Sequence, residues 1–188
     1  PTHHGVFDLS YLRLIPGMVI MAPKDESELR DMLYTAVSNV NGPVALRYPR
    51  GAGVGVLLKR GFDVIPMGKA ETLRAGHDVA LLAVGIMVQN ALRAADVLKN
   101  EGISAEVVNM RFVKPIDESM LDTIASRFDC IVTLEDNVVT GGFGSAVAEY
   151  YAARGTTGLQ LKLHGVPDRF IEHGSPNELY SQLQLDPQ

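Results

Sequence analysis

The 188-residue sequence has one cysteine, no tryptophan and an aromatic content of only 6%. A single cysteine can form neither an internal disulfide nor a cysteine-built zinc site, which excludes the disulfide-rich secreted scaffolds. A reducing compartment is therefore expected. We predict a cytoplasmic protein, or a plastid protein if the source is a plant. The rest of the composition, 46% hydrophobic and 21% charged, is typical of a soluble globular protein.

Long apolar runs and basic blocks are also missing. The longest nearly unbroken apolar run, Val79 to Val88, is shorter than the roughly 18 residues that a membrane span needs. No secretory signal opens the chain, and the first residue, Pro1, predicts a fragment or a processed product. The net charge is 17 − 22 = −5, and no stripe of lysine and arginine can follow a phosphate backbone. Neither a membrane nor a nucleic acid is an expected partner.

The first 50 residues have the pattern of a strand, a helix and a second strand. Met18 to Met21 is a short apolar run closed by a proline. Asp25, with Glu28 three residues on, predicts a helix N-cap with a capping box. Apolar residues then recur at helical spacing up to about Val40, and Val44 to Arg47 forms the next strand. This unit is too short to bury a core of its own, so it must complete a core built by another part of the protein.

A glycine-rich stretch with no firm helical or strand period follows. Such a composition is typical of a linker between two packed cores. We predict a linker over residues 52–61, between a partial domain at 1–51 and a second domain at 62–188.

Strands and helices alternate in the second domain. Gly68 to Arg74 and Asp78 to Val84 predict a hairpin with an Ala-Gly-His turn. The pattern then predicts helix 88–100, strand 105–110, a helix capped by Asp117, strand 130–134, a helix from Gly142 to about Arg154, strand 159–163 and a last helix capped by Ser175. Helices of this length between strands favour a mostly parallel sheet covered on both faces. The predicted class is α/β.

In such sheets ligands bind beyond the carboxyl ends of the strands, so polar residues at those positions are candidates for a site. Arg47-Tyr48-Pro49-Arg50-Gly51 leaves the second strand. Two guanidinium groups within four residues suit bidentate capture of a phosphate or a carboxylate. The alternative is that either arginine pairs with a surface acid.

A second candidate is Thr2-His3-His4-Gly5. Histidine is the commonest acid or base near neutral pH, and a neighbouring glycine allows a substrate to approach closely. A metal site is disfavoured, because adjacent strand side chains point to opposite faces and no further ligands lie nearby. From the residues alone, a structural role for both histidines is the alternative.

The third candidate is Glu135-Asp136-Asn137, followed by Gly141-Gly142-Phe143-Gly144. Glycines that open a helix can bind phosphate, but this spacing matches no nucleotide-binding motif and the acids would repel an anion. A structural turn is the favoured interpretation. For the remaining candidates we predict domain packing for His164 and His173 and an inert apolar setting for Cys130.

Several strings together resemble the 1-deoxy-D-xylulose-5-phosphate synthase family, a group of transketolase-like enzymes. The resemblance covers essentially the whole chain, and the string that begins at His3 is specific to the synthases. The strings are Thr2-His3-His4-Gly5-Val6-Phe7-Asp8-Leu9-Ser10-Tyr11-Leu12-Arg13, Pro16-Gly17-Met18-Val19-Ile20-Met21-Ala22-Pro23, Arg47-Tyr48-Pro49-Arg50-Gly51, Asn109-Met110-Arg111-Phe112-Val113-Lys114-Pro115, Glu135-Asp136-Asn137 with Gly141-Gly142-Phe143-Gly144-Ser145, and Gly165-Val166-Pro167-Asp168-Arg169-Phe170-Ile171.

This resemblance implies a thiamin-diphosphate and Mg²⁺ enzyme of the transferase class, with three α/β domains in each subunit. Residues 1–51 resemble the end of the pyrimidine-binding domain, and 62–188 resemble the transketolase C-terminal domain. The implied reaction joins pyruvate, with loss of CO₂, to D-glyceraldehyde 3-phosphate, for isoprenoid, thiamin and pyridoxal synthesis. The implied partners are the N-terminal remainder of the same enzyme and a second subunit of a homodimer.

The resemblance also implies the site residues. The active-site histidine of the family falls on His3 and its phosphate-binding arginine on Arg50, with His4 and Arg47 as supporting candidates. The family's magnesium-binding segment and the glutamate that activates thiamin are absent, so no cofactor or metal ligand is expected here and the chain alone should be inactive. Two alternatives are the beta subunit of a 2-oxo-acid dehydrogenase decarboxylase, with a lipoyl acceptor, and a non-catalytic dimerisation module.

Overall fold

A computed structural model describes residues 4–186 of the chain. The first part forms α1 (Asp8–Arg13), β1 (Val19–Met21), α2 (Glu26–Asn39) and β2 (Val44–Leu46). The second part forms β3 (Glu71–Arg74), β4 (Val79–Ala83), α3 (Met87–Asn100), β5 (Ala105–Asn109), β6 (Phe112–Lys114), α4 (Glu118–Ala125), β7 (Cys130–Val138), α5 (Phe143–Ala153), β8 (Gln160–Val166) and α6 (Pro176–Gln182).

The larger sheet has five strands in the order β3-β5-β4-β7-β8. Strands β4, β5, β7 and β8 are parallel, and β3 lies antiparallel to β5 at one edge. The predicted α/β class with a mostly parallel sheet is therefore confirmed. Alternate residues of β4 face opposite sides of the sheet, so that α4 and α5 pack on one face and α3 and α6 on the other.

The predicted hairpin between Gly68 to Arg74 and Asp78 to Val84 is wrong, because β3 pairs with β5 and not with β4. Strand β4 is apolar on both faces and takes a central position between two parallel neighbours. The connection from β3 therefore crosses the start of β5. A Cβ atom on Gly76 would lie 2.2 Å from the backbone nitrogen of Glu106, so only glycine fits at this crossing.

Side-chain caps fix the starts of three predicted helices. Asp25 accepts a hydrogen bond from the Glu28 amide at 2.7 Å, and Asp117 accepts one from the Met120 amide at 3.1 Å. Ser175 and Glu178 form a complete capping box at α6. The capping box predicted for α2 is only half formed, because the Glu28 carboxylate accepts from the Lys24 amide instead of the Asp25 amide.

A smaller sheet has the order β2-β1-β6. Strands β1 and β2 are parallel, whereas β6 lies antiparallel to β1 with Phe112 opposite Met21. Strand β6 was not predicted, and it comes from the second part of the chain. Phe112 is fully buried with Met21, Met32, Ala36 and Ile65. The first 50 residues thus complete their small core with residues that follow the predicted linker.

No regular helix or strand forms between β2 and β3, a stretch that contains the predicted linker at 52–61. The exact domain boundary remains a prediction. None of the helices built by residues 4–186 has the length and hydropathy of a membrane span.

Candidate functional site

Three segments meet at the carboxyl ends of β1, β2 and β7. They are residues 4–8 before and at the start of α1, residues 47–50 after β2, and residues 135–138 in the last part of β7. His3, the predicted active-site histidine, lies outside the described residues. The neighbouring His4 is half-buried, and its ring centroid lies 5.8 Å from that of Phe170 and 6.1 Å from that of Phe7.

Arg50 lies where the sequence places it, at the end of β2, and its side chain is exposed. It forms no hydrogen bond or ion pair with any residue in the part of the chain that the structure describes. It lines a cavity of about 340 Å³ together with Lys24, Tyr48, Pro49 and Ile86. An exposed arginine beside a cavity of this size can bind an anion through a bidentate contact.

Lys24, which the sequence analysis did not select, adds a second cation to this cavity. Burial acts to lower its pKa, but the carboxylates of Glu28, Glu71 and Asp25 outweigh burial and raise the pKa above the usual value. Lys24 therefore stays charged at neutral pH. Its position directly after the end of β1 is the signal that could have identified it.

Glu26 fixes the loop that forms another wall of the same cavity. Its carboxylate accepts hydrogen bonds from the amides of Val54, Gly55 and Val56 at 3.0, 2.6 and 3.0 Å. These backbone donors, with its own amide, lower the pKa of Glu26. Residues 54–56 are thus tied to the start of α2, although they form neither helix nor strand.

Arg47 has a different environment from Arg50, since its side chain is only 9% exposed. Its Nη1 atom pairs with Oδ1 of Asp136, and its Nη2 atom donates to the carbonyl oxygens of Asp136 at 2.9 Å and Gly5 at 3.0 Å. Its Nε atom lies 3.5 Å from Oδ2 of Asp8. The guanidinium group is therefore engaged by the protein itself. Its partner is the buried Asp136, whereas the alternative stated from the sequence was a surface acid.

Glu135 occupies the N-terminus of α5. Its carboxylate accepts hydrogen bonds from the amides of Phe143 at 2.7 Å and Gly144 at 2.8 Å. A Cβ atom on Gly142 would lie 2.2 Å from Oε2 of Glu135, so the glycine leaves room for this carboxylate. The amides that could have bound a phosphate are thus already used. The structural turn favoured from the sequence is confirmed.

Burial raises the pKa of Glu135 to about 8, against the opposing effect of the two amide donors. Because the folded protein holds this proton more tightly than the unfolded chain, Glu135 stabilises the fold fully below its unfolded pKa of about 4.3. That stabilisation is lost as the pH rises through about 8. We compare the thermal midpoint of the full-length wild-type protein with that of Glu135→Gln. The difference, wild type minus variant, is expected to decrease as the pH is raised from 5 to 8.

The exposed Glu101 gives a matched control for this titration. Glu101→Gln removes an exposed carboxylate and leaves Glu135 in place, so this variant should keep the pH dependence of the midpoint that Glu135→Gln loses. An equal pH dependence of the midpoint in both variants would contradict the assignment to Glu135.

The remaining candidates lie away from this site. The Nε2 atom of His164 is 2.7 Å from the carbonyl oxygen of Gln184, a contact that joins β8 to the chain after α6, whereas His173 is exposed. Cys130 is half-buried at the start of β7. Among residues 4–186 no group of three or more His, Cys, Asp or Glu side chains is arranged to hold a metal ion.

Comparisons with known proteins agree with the two-part architecture. Residues 1–54 match the family model described as the transketolase pyrimidine binding domain, and residues 68–188 match the model of the transketolase C-terminal domain. The chain is similar to a solved structure that is described as "Split gene transketolase, inactive beta4 tetramer". The similarity covers 96% of this chain and 56% of that chain. The TM-score is 0.82 and the sequence identity 34%.

Curated relatives are more similar in sequence. The chain is 56% identical over 186 residues to 1-deoxy-D-xylulose-5-phosphate synthase 1 of Geobacter sulfurreducens, and 55% identical over 186 residues to 1-deoxy-D-xylulose-5-phosphate synthase of Aquifex aeolicus. Each alignment covers 99% of this chain and 29% of the relative. The chain thus spans less than a third of the length of these proteins.

Proposed function

This chain belongs to the transketolase family, and from that membership we propose that it forms the C-terminal part of a 1-deoxy-D-xylulose-5-phosphate synthase. The observation that carries the proposal is the 56% identity to such a synthase over 99% of the chain. The guanidinium group of Arg50, which has no partner among the described residues and lies beside a cavity, supports it, because this synthase must bind a phosphorylated aldehyde.

The proposed reaction is the condensation of pyruvate, with loss of CO₂, with D-glyceraldehyde 3-phosphate, in the supply of isoprenoid, thiamin and pyridoxal precursors. Thiamin diphosphate, held with Mg²⁺ by the rest of the enzyme, would stabilise the carbanion that decarboxylation leaves. We propose a homodimer in the cytoplasm as the working assembly. The N-terminal remainder of the enzyme is the partner that completes the site.

In this proposal Arg50 binds the phosphate of the aldehyde. A guanidinium fork matches two phosphate oxygens, and the Tyr48-Pro49 segment restricts the backbone that carries it. Lys24 lines the same cavity, but Asp25, Glu28 and Glu71 pair with its ammonium group, so it is not assigned a phosphate contact. Arg47 is already paired within the protein, so we assign the phosphate to Arg50 alone.

His3 is the proposed active-site histidine. Two roles suit an imidazole beside the reacting carbons: it can hold the pyruvate carboxylate, or it can transfer the proton of the acceptor during carbon–carbon bond formation. The Gly5 carbonyl two residues later is held by Arg47 at 3.0 Å, which anchors the chain that follows His3.

We expect the 188-residue chain alone to bind no thiamin diphosphate and to turn over no substrate, because the proposal assigns the cofactor to the rest of the enzyme and the chain spans only 29% of the length of the synthase that it matches. Isothermal titration calorimetry of the chain with thiamin diphosphate and Mg²⁺ tests this expectation. The full-length enzyme is the control and should release heat on binding. Heat of specific binding to the isolated chain would contradict the expectation.

The function itself is tested by a cofactor-supplemented assay of the full-length protein with pyruvate and D-glyceraldehyde 3-phosphate. Release of CO₂ together with a five-carbon sugar phosphate is the expected result. Release of CO₂ only with a lipoyl or artificial electron acceptor, and without sugar phosphate, would favour the dehydrogenase alternative instead.

A further inference from the structure

Asp136 lies in β7 of the larger sheet, yet its contacts join it to the two segments that carry the proposed site residues. Its side chain is 6% exposed. Oδ1 pairs with Nη1 of Arg47, and Oδ2 lies 3.4 Å from the hydroxyl oxygen of Tyr180 in α6. Burial and the Asp136 charge raise the pKa of Tyr180, so its hydroxyl remains a proton donor at neutral pH. Both oxygens of Asp136 are therefore engaged.

The segment that follows His3 is held by the same end of β7. The Val138 amide donates to the carbonyl oxygen of Val6 at 2.7 Å. The side-chain oxygen of Asn137 accepts from the Leu9 amide at 3.2 Å. Arg47, paired with Asp136, donates to the carbonyl oxygen of Gly5 at 3.0 Å. Three consecutive residues of β7 thus fix the backbone of residues 5–9, directly or through Arg47.

The ion pair between Arg47 and Asp136 also restricts the position of Arg50. Arg47 is the first residue after β2, and its backbone amide donates to the carbonyl oxygen of Met21 at 2.8 Å. Only Tyr48 and Pro49 separate it from Arg50, so an anchored Arg47 restricts where the Arg50 guanidinium group can lie. Gly5, Arg47, Arg50, Asp136 and Tyr180 line one cavity of about 240 Å³.

We propose that Asp136 is a positioning residue of the synthase reaction. By pairing with Arg47, it sets the distance between the backbone after His3 and the loop that carries Arg50. This inference rests on the proposed function. It assigns to the C-terminal domain a part in substrate geometry, in contrast to a role in dimerisation alone.

A second ion pair with a buried acid in the same sheet provides the control, although its arginine, Arg127, is 44% exposed. Glu106 is 1% exposed and pairs with Arg127 at 2.6 Å. It lies in β5, near the amino ends of the strands and away from the site. Asp136→Asn and Glu106→Gln each remove one buried negative charge that faces an arginine, so both are expected to lower stability by a similar mechanism.

The experiment measures steady-state kinetics of the full-length, cofactor-loaded enzyme below the unfolding midpoints of all variants. We expect Asp136→Asn to raise the KM for D-glyceraldehyde 3-phosphate about tenfold, and Glu106→Gln to leave it within about twofold of wild type. A smaller folded fraction lowers kcat and does not change KM, so a rise in KM reports on geometry. Asp136→Glu, which keeps the charge, should recover a KM closer to wild type.

An unchanged KM in Asp136→Asn would overturn the inference, and so would an equal rise in Glu106→Gln. Amide hydrogen exchange gives a second readout, with faster exchange expected at residues 5–9 and 47–50 in Asp136→Asn alone. Absence of sugar phosphate with the wild-type enzyme would overturn the proposed function, and with it the inference that rests on it. That outcome is read from the wild-type enzyme and is separate from any difference between variants.

Discussion

Replacing Arg50 by alanine in the full-length enzyme is expected to raise the KM for D-glyceraldehyde 3-phosphate about 10- to 100-fold. The KM for pyruvate should stay within about twofold of wild type. The reason is that Arg50 lies beside a cavity and has no partner among the described residues, so its guanidinium group can form a bidentate contact with the phosphate. For Arg50→Lys, the KM for D-glyceraldehyde 3-phosphate should lie between the values of wild type and Arg50→Ala. The lysine ammonium group keeps the positive charge but cannot form the bidentate contact of a guanidinium group.

Two controls test whether the rise in KM is specific to Arg50 and to the phosphate group. Arg60→Ala removes another exposed arginine ten residues further along the same irregular segment and should leave both KM values unchanged. Unphosphorylated D-glyceraldehyde as the acceptor should remove the difference between wild type and Arg50→Ala, because the lost contact is to phosphate. Equal losses with the phosphorylated and unphosphorylated aldehydes would contradict a phosphate role for Arg50.

Phe112→Ala is expected to destabilise the smaller sheet by about 3 to 5 kcal/mol, the usual cost of truncating a fully buried phenylalanine. Phe112 pairs with Met21 across β1 and β6 and packs with Met32 and Ile65. Native-state amide hydrogen exchange on β1 in the full-length enzyme measures the free energy of local opening directly. Unlike a global midpoint, it requires no two-state unfolding of a multidomain protein.

Phe62→Ala is the matched control, since Phe62 is 52% exposed. It should change the opening free energy of β1 by less than about 1 kcal/mol. Phe112→Leu, which keeps most of the buried volume, should cost much less than Phe112→Ala. Unchanged protection of β1 in Phe112→Ala would show that β6 contributes little to this sheet.

Local signals in the sequence predicted most of the helices and strands. Capping side chains marked the starts of α2, α4 and α6, and buried parallel strands such as β4 gave near-continuous apolar runs. The same signals missed two short elements, α1 and β6, although they identified β1 and β2, which are as short as β6. Helix α1 has six residues and no side-chain cap, and β6 has three residues after Arg111, a non-glycine residue at φ 58°. Neither has enough residues for a period to be seen.

The location of the candidate site in the fold could be predicted in part for a comparable reason, whereas the roles of its residues stay predictions. The position of Arg50 after a strand end follows from a rule about parallel sheets, and the structure places it beside a cavity. The partner of Arg47 could not be predicted, because Asp136 lies 89 residues further along the chain and belongs to the other sheet. The hairpin was predicted wrongly because adjacency in sequence was taken for adjacency in the sheet, while β3 lies on the far side of β5.

The antiparallel pairing of β6 with β1 has a consequence for the order in which the chain folds during synthesis. Met21 and Phe112 are 112 − 21 = 91 positions apart, so the third strand of the smaller sheet leaves the ribosome long after the first. Until then the backbone N–H and C=O groups on that edge of β1 have no strand partner, and forming a pairing between residues so distant in sequence is slow. We therefore expect the nascent segment before residue 112 to depend on chaperones more than its small size suggests.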